Sequence, residues 1–232
     1  MPSFAVYYVP PADTPLYQFG TDVLAYDVWT GQFLPEDNAT RQLIPAFDPA
    51  WATVPQEWGF HMTIGHALEF DAADLPAIET ELEDILKLFD PNKPFLLTPA
   101  EDYLPLDGPN ATLYFVPNQA FMMFHALVVA RIHPYASGTP AKRALLAGEM
   151  DAYPPVYRER TARYFHYSVL DDWYPHMALL RPIPEAHRDT TRTALLAHVP
   201  KPAMLTVDTL CLLLKPDGSN HFHVYRTYSR AV

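Results

Sequence analysis

The stretch Gly59-Phe60-His61-Met62-Thr63-Ile64-Gly65-His66 decides how this chain is read. Its centre is apolar apart from an imidazole and a hydroxyl placed two residues apart. Successive side chains of a β-strand point to opposite faces, so the spacing predicts His61 and Thr63 on one face and Met62 and Ile64 on the other. The wider run, from Trp58 to Phe70, reads as one strand, with Gly65 marking a bend or a close approach of another segment.

The same signature returns downstream. His176-Met177-Ala178-Leu179 repeats the pattern of His61-Met62-Thr63-Ile64 within a second strand-like run, residues 171–183. An amphipathic helix follows each run. Leu75, Ile78, Leu82, Ile85, Leu86 and Phe89 recur at helical spacing after the first, and Glu79, Glu81, Glu83 and Lys87 occupy the opposite face as a solvated stripe. Asp71 and Asp74 are candidate caps at its start. After the second run comes a helix over residues 185–199. Two further strands follow in each copy: residues 95–106 and 111–118 with a turn at Asp107–Asn110, then residues 204–214 and 221–229 around a turn at Lys215–Gly218. The order strand, helix, strand, strand therefore occurs twice. Phe4–Val9 adds an opening strand stopped by Pro10 and Pro11, residues 15–30 suggest a short helix over an aromatic cluster, and residues 120–132 a mostly buried helix. Residues 134–170, with mixed charge and the Pro154-Pro155 pair, read as a helix and loop excursion.

The expected fold class is α+β: one domain over residues 1–232, in two pseudo-symmetric lobes of antiparallel sheet with outer helices around a central cleft. The lobes are drawn at about residues 1–133 and 171–232. Equivalent strands brought together in this way would set two distant histidines before one cleft. An imidazole with an ordinary pKa near 6.5 serves either as base or as acid around neutral pH, so two of them can act on opposite sides of a phosphorus centre without a metal or other cofactor. Thr63 would donate a hydrogen bond to a phosphoryl oxygen.

The two histidine tetrads and the order of elements resemble the two-histidine phosphoesterase superfamily, whose members carry two copies of His-x-Thr/Ser-x. Residues 5–32, 58–64 and 121–135 are similar to the branch associated with bacterial phosphonate-metabolism operons. The resemblance implies that His61 and His176 are the acid and base, that Thr63 binds phosphate, and that the substrate is a small cyclic phosphate or phosphodiester, such as a ribose phosphate. Where the family has a second Thr or Ser, this chain has Ala178. Loss of one such donor costs on the order of 3 kcal/mol, or about a hundredfold in rate. Arg181, Tyr174 and Tyr8 are the nearby replacement donors, although strict alternation turns Arg181 away from the face of His176. Ala178 keeps a second function class open, a non-catalytic module that binds a phosphorylated metabolite.

Composition sets the outer bounds. Of 232 residues, 27 are acidic and 16 basic, a formal charge of −11, which repels long nucleic acids and leaves the small phosphorylated substrate that the resemblance implies as the expected partner. No apolar run is long enough to span a membrane, and the amino terminus lacks the plan of a signal peptide, so a cytoplasmic protein is expected. The 25 prolines are scattered, punctuating many short elements. The single cysteine, Cys211, lies in Leu210-Cys211-Leu212-Leu213-Leu214 and reads as a core thiol. His221 and His223 alternate onto one strand face without a third ligand at a metal-binding spacing, and read as an edge-strand pair. His66, His125, His133, His166, His187 and His198 stand in no motif and read as packing or surface residues.

Overall fold

The computed structural model describes residues 1–105 and 108–229. The elements begin where caps and prolines start them. Thr14 accepts a hydrogen bond from the Tyr17 amide and Pro15 stands in the first turn of helix α1 (Pro15–Leu24). Two short strands, β2 (Tyr26–Asp27) and β3 (Gln32–Phe33), and two single-turn helices, α2 (Ala39–Gln42) and α3 (Thr53–Gln56), link it to the first histidine strand. Before α1 runs β1 (Ser3–Tyr8). After α3 come β4 (Met62–Phe70), α4 (Leu75–Leu86), β5 (Phe95–Pro99), β6 (Ala111–Pro117), α5 (Gln119–Ile132) and β7 (Ala136–Gly138). The chain continues through α6 (Pro140–Leu146), α7 (Pro155–Tyr164), β8 (His176–Leu180), α8 (Arg188–His198), β9 (Leu205–Val207), β10 (Thr209–Lys215) and β11 (His223–Ser229). None of the described helices is long and apolar enough to cross a membrane.

The strands form two antiparallel sheets and a small hairpin, giving a mixed α+β architecture. One sheet has the order β11-β10-β1-β4-β7, the other β8-β6-β5-β9, and β2 pairs with β3. Neither sheet follows the boundaries 1–133 and 171–232 expected from sequence. The first histidine strand, β4, shares its sheet with β10 and β11 of the second copy, while the second histidine strand, β8, pairs with β6 of the first copy. Each copy thus gives its histidine strand to one sheet and its later hairpin to the other. A continuous hydrophobic cluster joins both sheets and their helices. The run 204–214 is not one strand: β9 ends at Val207 in the smaller sheet and β10 starts at Thr209 in the larger.

Helix α4 places Ile78, Leu82 and Ile85 wholly in the core, and each such side chain contributes roughly 1.5–3 kcal/mol by leaving water. Its acidic face is not simply solvated. Arg226 of β11 reaches Glu79 and Glu83 at 2.9 and 2.8 Å, and Arg131 of α5 reaches Glu81 at 2.6 Å, so the glutamates fasten α4 to a neighbouring strand and helix. Of the two cap candidates, Asp71 accepts from the Ala73 amide and Asp74 makes no side-chain cap bond. The turn expected from Asp107 falls partly outside the described residues. Gly65 is the close approach expected of it: a Cβ there would stand 2.8 Å from Val128 of α5 and 3.3 Å from Val6 of β1.

The two histidine strands are tied together behind the cleft. His125 of α5 is fully buried, donates from Nδ1 to the Ile64 carbonyl at 2.6 Å, and accepts at Nε2 from the Leu170 amide at 3.1 Å. Its ring stacks on Trp173 at 4.1 Å, and the Trp173 indole donates to the Thr63 carbonyl at 2.9 Å. Leu170 holds φ at +62°, an unfavourable left-handed conformation for a non-glycine residue, and its amide is thereby paired with the imidazole. Replacing His125 by Phe keeps the ring but leaves the buried Leu170 N–H and Ile64 C=O unpaired. The variant is expected to lose about 2–4 kcal/mol of unfolding free energy in urea titration, whereas an unchanged midpoint would deny the clasp its role.

Candidate active site

A cleft of about 530 Å³ opens between β4 and β8, and residues 139–141 and 166–168 form one of its walls. His61, Thr63, His176, Ala178 and Arg181 all line it. His61 is half-buried and lies flat on the Tyr7 ring, centroids 3.8 Å apart and planes 14° from parallel. His176 stands at the start of β8 with its edge open to solvent.

Both imidazoles are held in the same way. His61 Nδ1 lies 2.8 Å from the Gly59 carbonyl and His176 Nδ1 lies 2.8 Å from the Tyr174 carbonyl, in each case the residue two before the histidine. A carbonyl only accepts, so Nδ1 carries a proton in both rings, and Nε2 is left to accept or donate in the cleft. Thr63 Oγ1 lies 3.2 Å from His61 Nε2 and donates to the neutral ring. Gly59 has φ at +71°, and a Cβ there would meet Val28 at 2.4 Å. Glycine is needed at the turn that aims this carbonyl at His61.

A β-bulge at the same place in each strand sets the rest of the lining. Tyr7 pairs with Thr63 but Val6 with Gly65, which makes Ile64 the extra residue. Thr112 pairs with Ala178 but Ala111 with Leu180, which makes Leu179 the extra residue. Ile64 and Leu179 are the fourth residues of the two tetrads. Each bulge resets the alternation, so the residue five after each histidine, His66 within β4 and Arg181 immediately after β8, returns to the cleft face. Arg181, which strict alternation had turned away, therefore lines the cleft, and Leu179 and Leu180 are both buried.

The remaining expected donors lie elsewhere. Tyr8 pairs with the buried Met62 and is only 2% exposed, on the face away from Thr63. The Tyr174 side chain is 65% exposed and does not line the cleft, although its carbonyl orients His176. His221 packs its ring against Tyr26 and Phe33 beside the small hairpin. Among the described residues no three His, Cys, Asp or Glu side chains gather in a way that would hold a metal ion. Cys211 is wholly buried, and burial pushes its thiol up to about 12.

Sequence reasoning missed His66 and His166. They stack in the cleft wall at 3.7 Å and 20°, one from β4 and the other from the 134–170 excursion. Alternation put His66 on the wrong face because Gly65 marked a bend without saying that an extra residue, Ile64, stands beside it. His166 belongs to a segment with no periodic pattern.

Burial and neighbouring charge act in one direction on these rings. His61 is pushed down to about 3, chiefly by burial, with His176 and Arg181 adding to the effect against the Gly59 carbonyl. His176 is lowered by the packed walls around it and by Arg181, against the Tyr174 carbonyl. Both rings therefore feel the same guanidinium. Among the described residues Arg181 is in no ion pair, and no carboxylate lines the cleft.

No protein-family model matches the chain, and no curated protein matches it. Among solved structures, one described as a crystal structure of phosphoesterase aligns over 100% of both chains, with a TM-score of 0.43 and 12% identity. That likeness is too distant to carry an argument.

The buried histidines make stability depend on pH. Burial lowers His125 to about 4 and His133 to about 3, and both are wholly inside the protein. In the unfolded chain each titrates near 6.5, so below that value the unfolded state binds the extra proton and stability falls with falling pH. Each ring gives a slope of about 1.4 kcal/mol per pH unit between its two pKa values. Urea midpoints are expected to drop steadily from pH 7 to pH 4.5, with a smaller drop in a His133→Gln variant. A flat profile over that range would mean that these rings are protonated in the folded state.

Proposed function

We propose that this chain is a phosphoesterase of the two-histidine type, acting on a small cyclic phosphodiester within a single bilobal domain. The observation that carries the reading is the matched pair of imidazoles, both fixed through Nδ1 by the carbonyl two residues back and both offering Nε2 to a cleft with one unpaired arginine. Arg181 is suited to the phosphate, since a guanidinium presents paired donors to phosphoryl oxygens. It takes over the part of the donor that Ala178 lacks. Thr63 supplies the second hydrogen bond once its hydroxyl turns from His61 to the substrate.

In the proposed reaction His61 is the base and His176 the acid. His61 is the more strongly held neutral, and its Nε2 already accepts a hydrogen bond. It takes a proton from water as the water oxygen bonds to phosphorus. The ester P–O bond breaks, and the departing oxygen takes the proton from Nε2 of His176. The products are a phosphomonoester and a free hydroxyl, and the two rings exchange their protons with solvent before the next turnover. General acid or base catalysis of this kind contributes roughly 10²–10⁴-fold for each group. The resemblance to the phosphonate-associated branch favours a ribose cyclic phosphate over a long nucleic acid, as does the net charge of −11.

Ala178 favours a second reading, a binding protein without turnover. One assay separates the two: hydrolysis of 2′,3′-cyclic nucleotides in the presence of a chelator by the wild type, His61→Ala and His176→Ala. Turnover reduced at least a hundredfold in both variants, with unchanged unfolding midpoints, is the expected result. Binding of these ligands without any product supports the second reading, and full activity in either variant would sink the two-histidine mechanism.

The assignment of acid and base has its own check. With bis(p-nitrophenyl) phosphate, whose leaving group needs no proton, His176→Ala is expected to keep most of its activity and His61→Ala to lose it; the reverse pattern exchanges the roles. The pH dependence of kcat/KM reports the free protein, in which one ring must be neutral and one protonated. Both rings titrate below 6.5, and His61 near 3, so the optimum is expected on the acid side of neutrality and the rate to fall as pH rises past it.

A further inference from the structure

Tyr7 lies in the middle of the larger sheet, opposite Thr63 of β4 on one side and Cys211 of β10 on the other. It is only 2% exposed, yet it lines the cleft, and its ring carries His61. Phe222 packs against the same ring, centroids 6.4 Å apart. A side chain enclosed in this way is fixed by its neighbours. Its hydroxyl hydrogen-bonds the Thr63 side chain. Thr63 has one hydroxyl proton, which points to Nε2 of the neutral His61 ring 3.2 Å away, so its oxygen is the acceptor for Tyr7. The three groups form a directed chain, from Tyr7 Oη–H to Thr63 Oγ1–H to His61 Nε2. Burial, opposed by the bond to Thr63, raises the Tyr7 hydroxyl well above its ordinary range, so it stays a donor around neutral pH.

The second histidine strand has no such chain. Ala178 stands where Thr63 does, its cross-strand partner in β6 is Thr112, and Tyr114 lies tilted 33° from His176 at 5.9 Å instead of flat beneath it. Resting on the phosphoesterase reading, we propose that Tyr7 is a positioning residue for the reaction: its hydroxyl holds the Thr63 oxygen, so that the Thr63 proton is directed either to His61 Nε2 or, once substrate is bound, to a phosphoryl oxygen. The Thr63 hydroxyl turns between these two acceptors without leaving Tyr7. A hydroxyl that already accepts a hydrogen bond is the stronger donor, and one held in place needs no reorganisation when charge moves onto the phosphoryl oxygen. The same turn uncovers His61 Nε2, so the base becomes free to take the proton of water when the phosphate is in place.

The test pairs kinetics with nitrogen NMR of the histidine rings. Tyr7→Phe removes the hydroxyl and keeps the ring under His61. With 2′,3′-cyclic nucleotides it is expected to lower kcat about three- to tenfold, the scale of one net hydrogen bond, with KM little changed. In a Thr63→Val background the same change is expected to have no further effect, because the hydroxyl acts only through Thr63. Independently of turnover, the His61 Nε2 resonance of Tyr7→Phe is expected to move part of the way toward its position in Thr63→Val, where this side chain donates nothing. An unmoved resonance, an unchanged kcat, or a Tyr7→Phe loss of the same size with and without the Thr63 hydroxyl would overturn the inference. Absence of turnover by the wild type removes the esterase reading and leaves the resonance to decide whether Tyr7 holds Thr63; turnover with an unmoved resonance keeps that reading and removes the role of Tyr7.

Discussion

The clasp of His125 and Trp173 is the constraint from which the cleft follows. One imidazole spans from the Ile64 carbonyl to the Leu170 amide, and the indole stacked on it reaches the Thr63 carbonyl. These bonds connect the first histidine strand to the segment that leads into the second, 110 residues away in sequence at the Thr63–Trp173 contact. Because every polar atom of the buried imidazole ring is paired, the link gains from its low-dielectric surroundings instead of losing to them. The separation of His61 from His176 is thus set by buried groups behind the cleft, away from the solvent that fills it.

The exchange of strands between sheets has the same consequence at larger scale. Each sheet takes its histidine strand from one copy and its hairpin from the other. Neither copy can close its own sheet alone, so the hydrophobic cluster is continuous from one side to the other. The excursion between the copies completes the arrangement. It contributes β7 to the edge of the larger sheet, and residues 139–141 and 166–168 to a wall of the cleft. Thr139 starts α6 by accepting from the Lys142 amide, and its hydroxyl donates to the Phe165 carbonyl at 2.7 Å, which fixes the two ends of the excursion against each other.

Electrostatics separate the cleft from the rest of the surface. The protein as a whole is strongly acidic, yet the cleft has Arg181 and no carboxylate. Some acidic side chains elsewhere are engaged with arginines, as on α4, where Glu79, Glu81 and Glu83 hold Arg226 and Arg131. A small anion is attracted only at short range, inside the cleft, while a long polyanion meets the repulsive outer field first.

Sequence alone determined which residues could carry chemistry and which elements would bear them. The repeated tetrad, with its two-residue alternation, picked out His61, Thr63 and His176, and helical spacing picked out α4, because these periodicities are local consequences of backbone geometry. Only the tertiary structure decided the remainder of the site. Bulges at Ile64 and Leu179 arise from pairing with β1 and β6, partners distant in the chain, and they break the alternation that would have turned His66 and Arg181 away from the cleft. Tyr8 faces the core because its partner Met62 faces inward. The pairing of His66 with His166, and the burial that keeps both neutral, depend on an excursion with no period of its own. Residue type sets what a side chain can do, and long-range packing sets which face it occupies and whether it carries charge there.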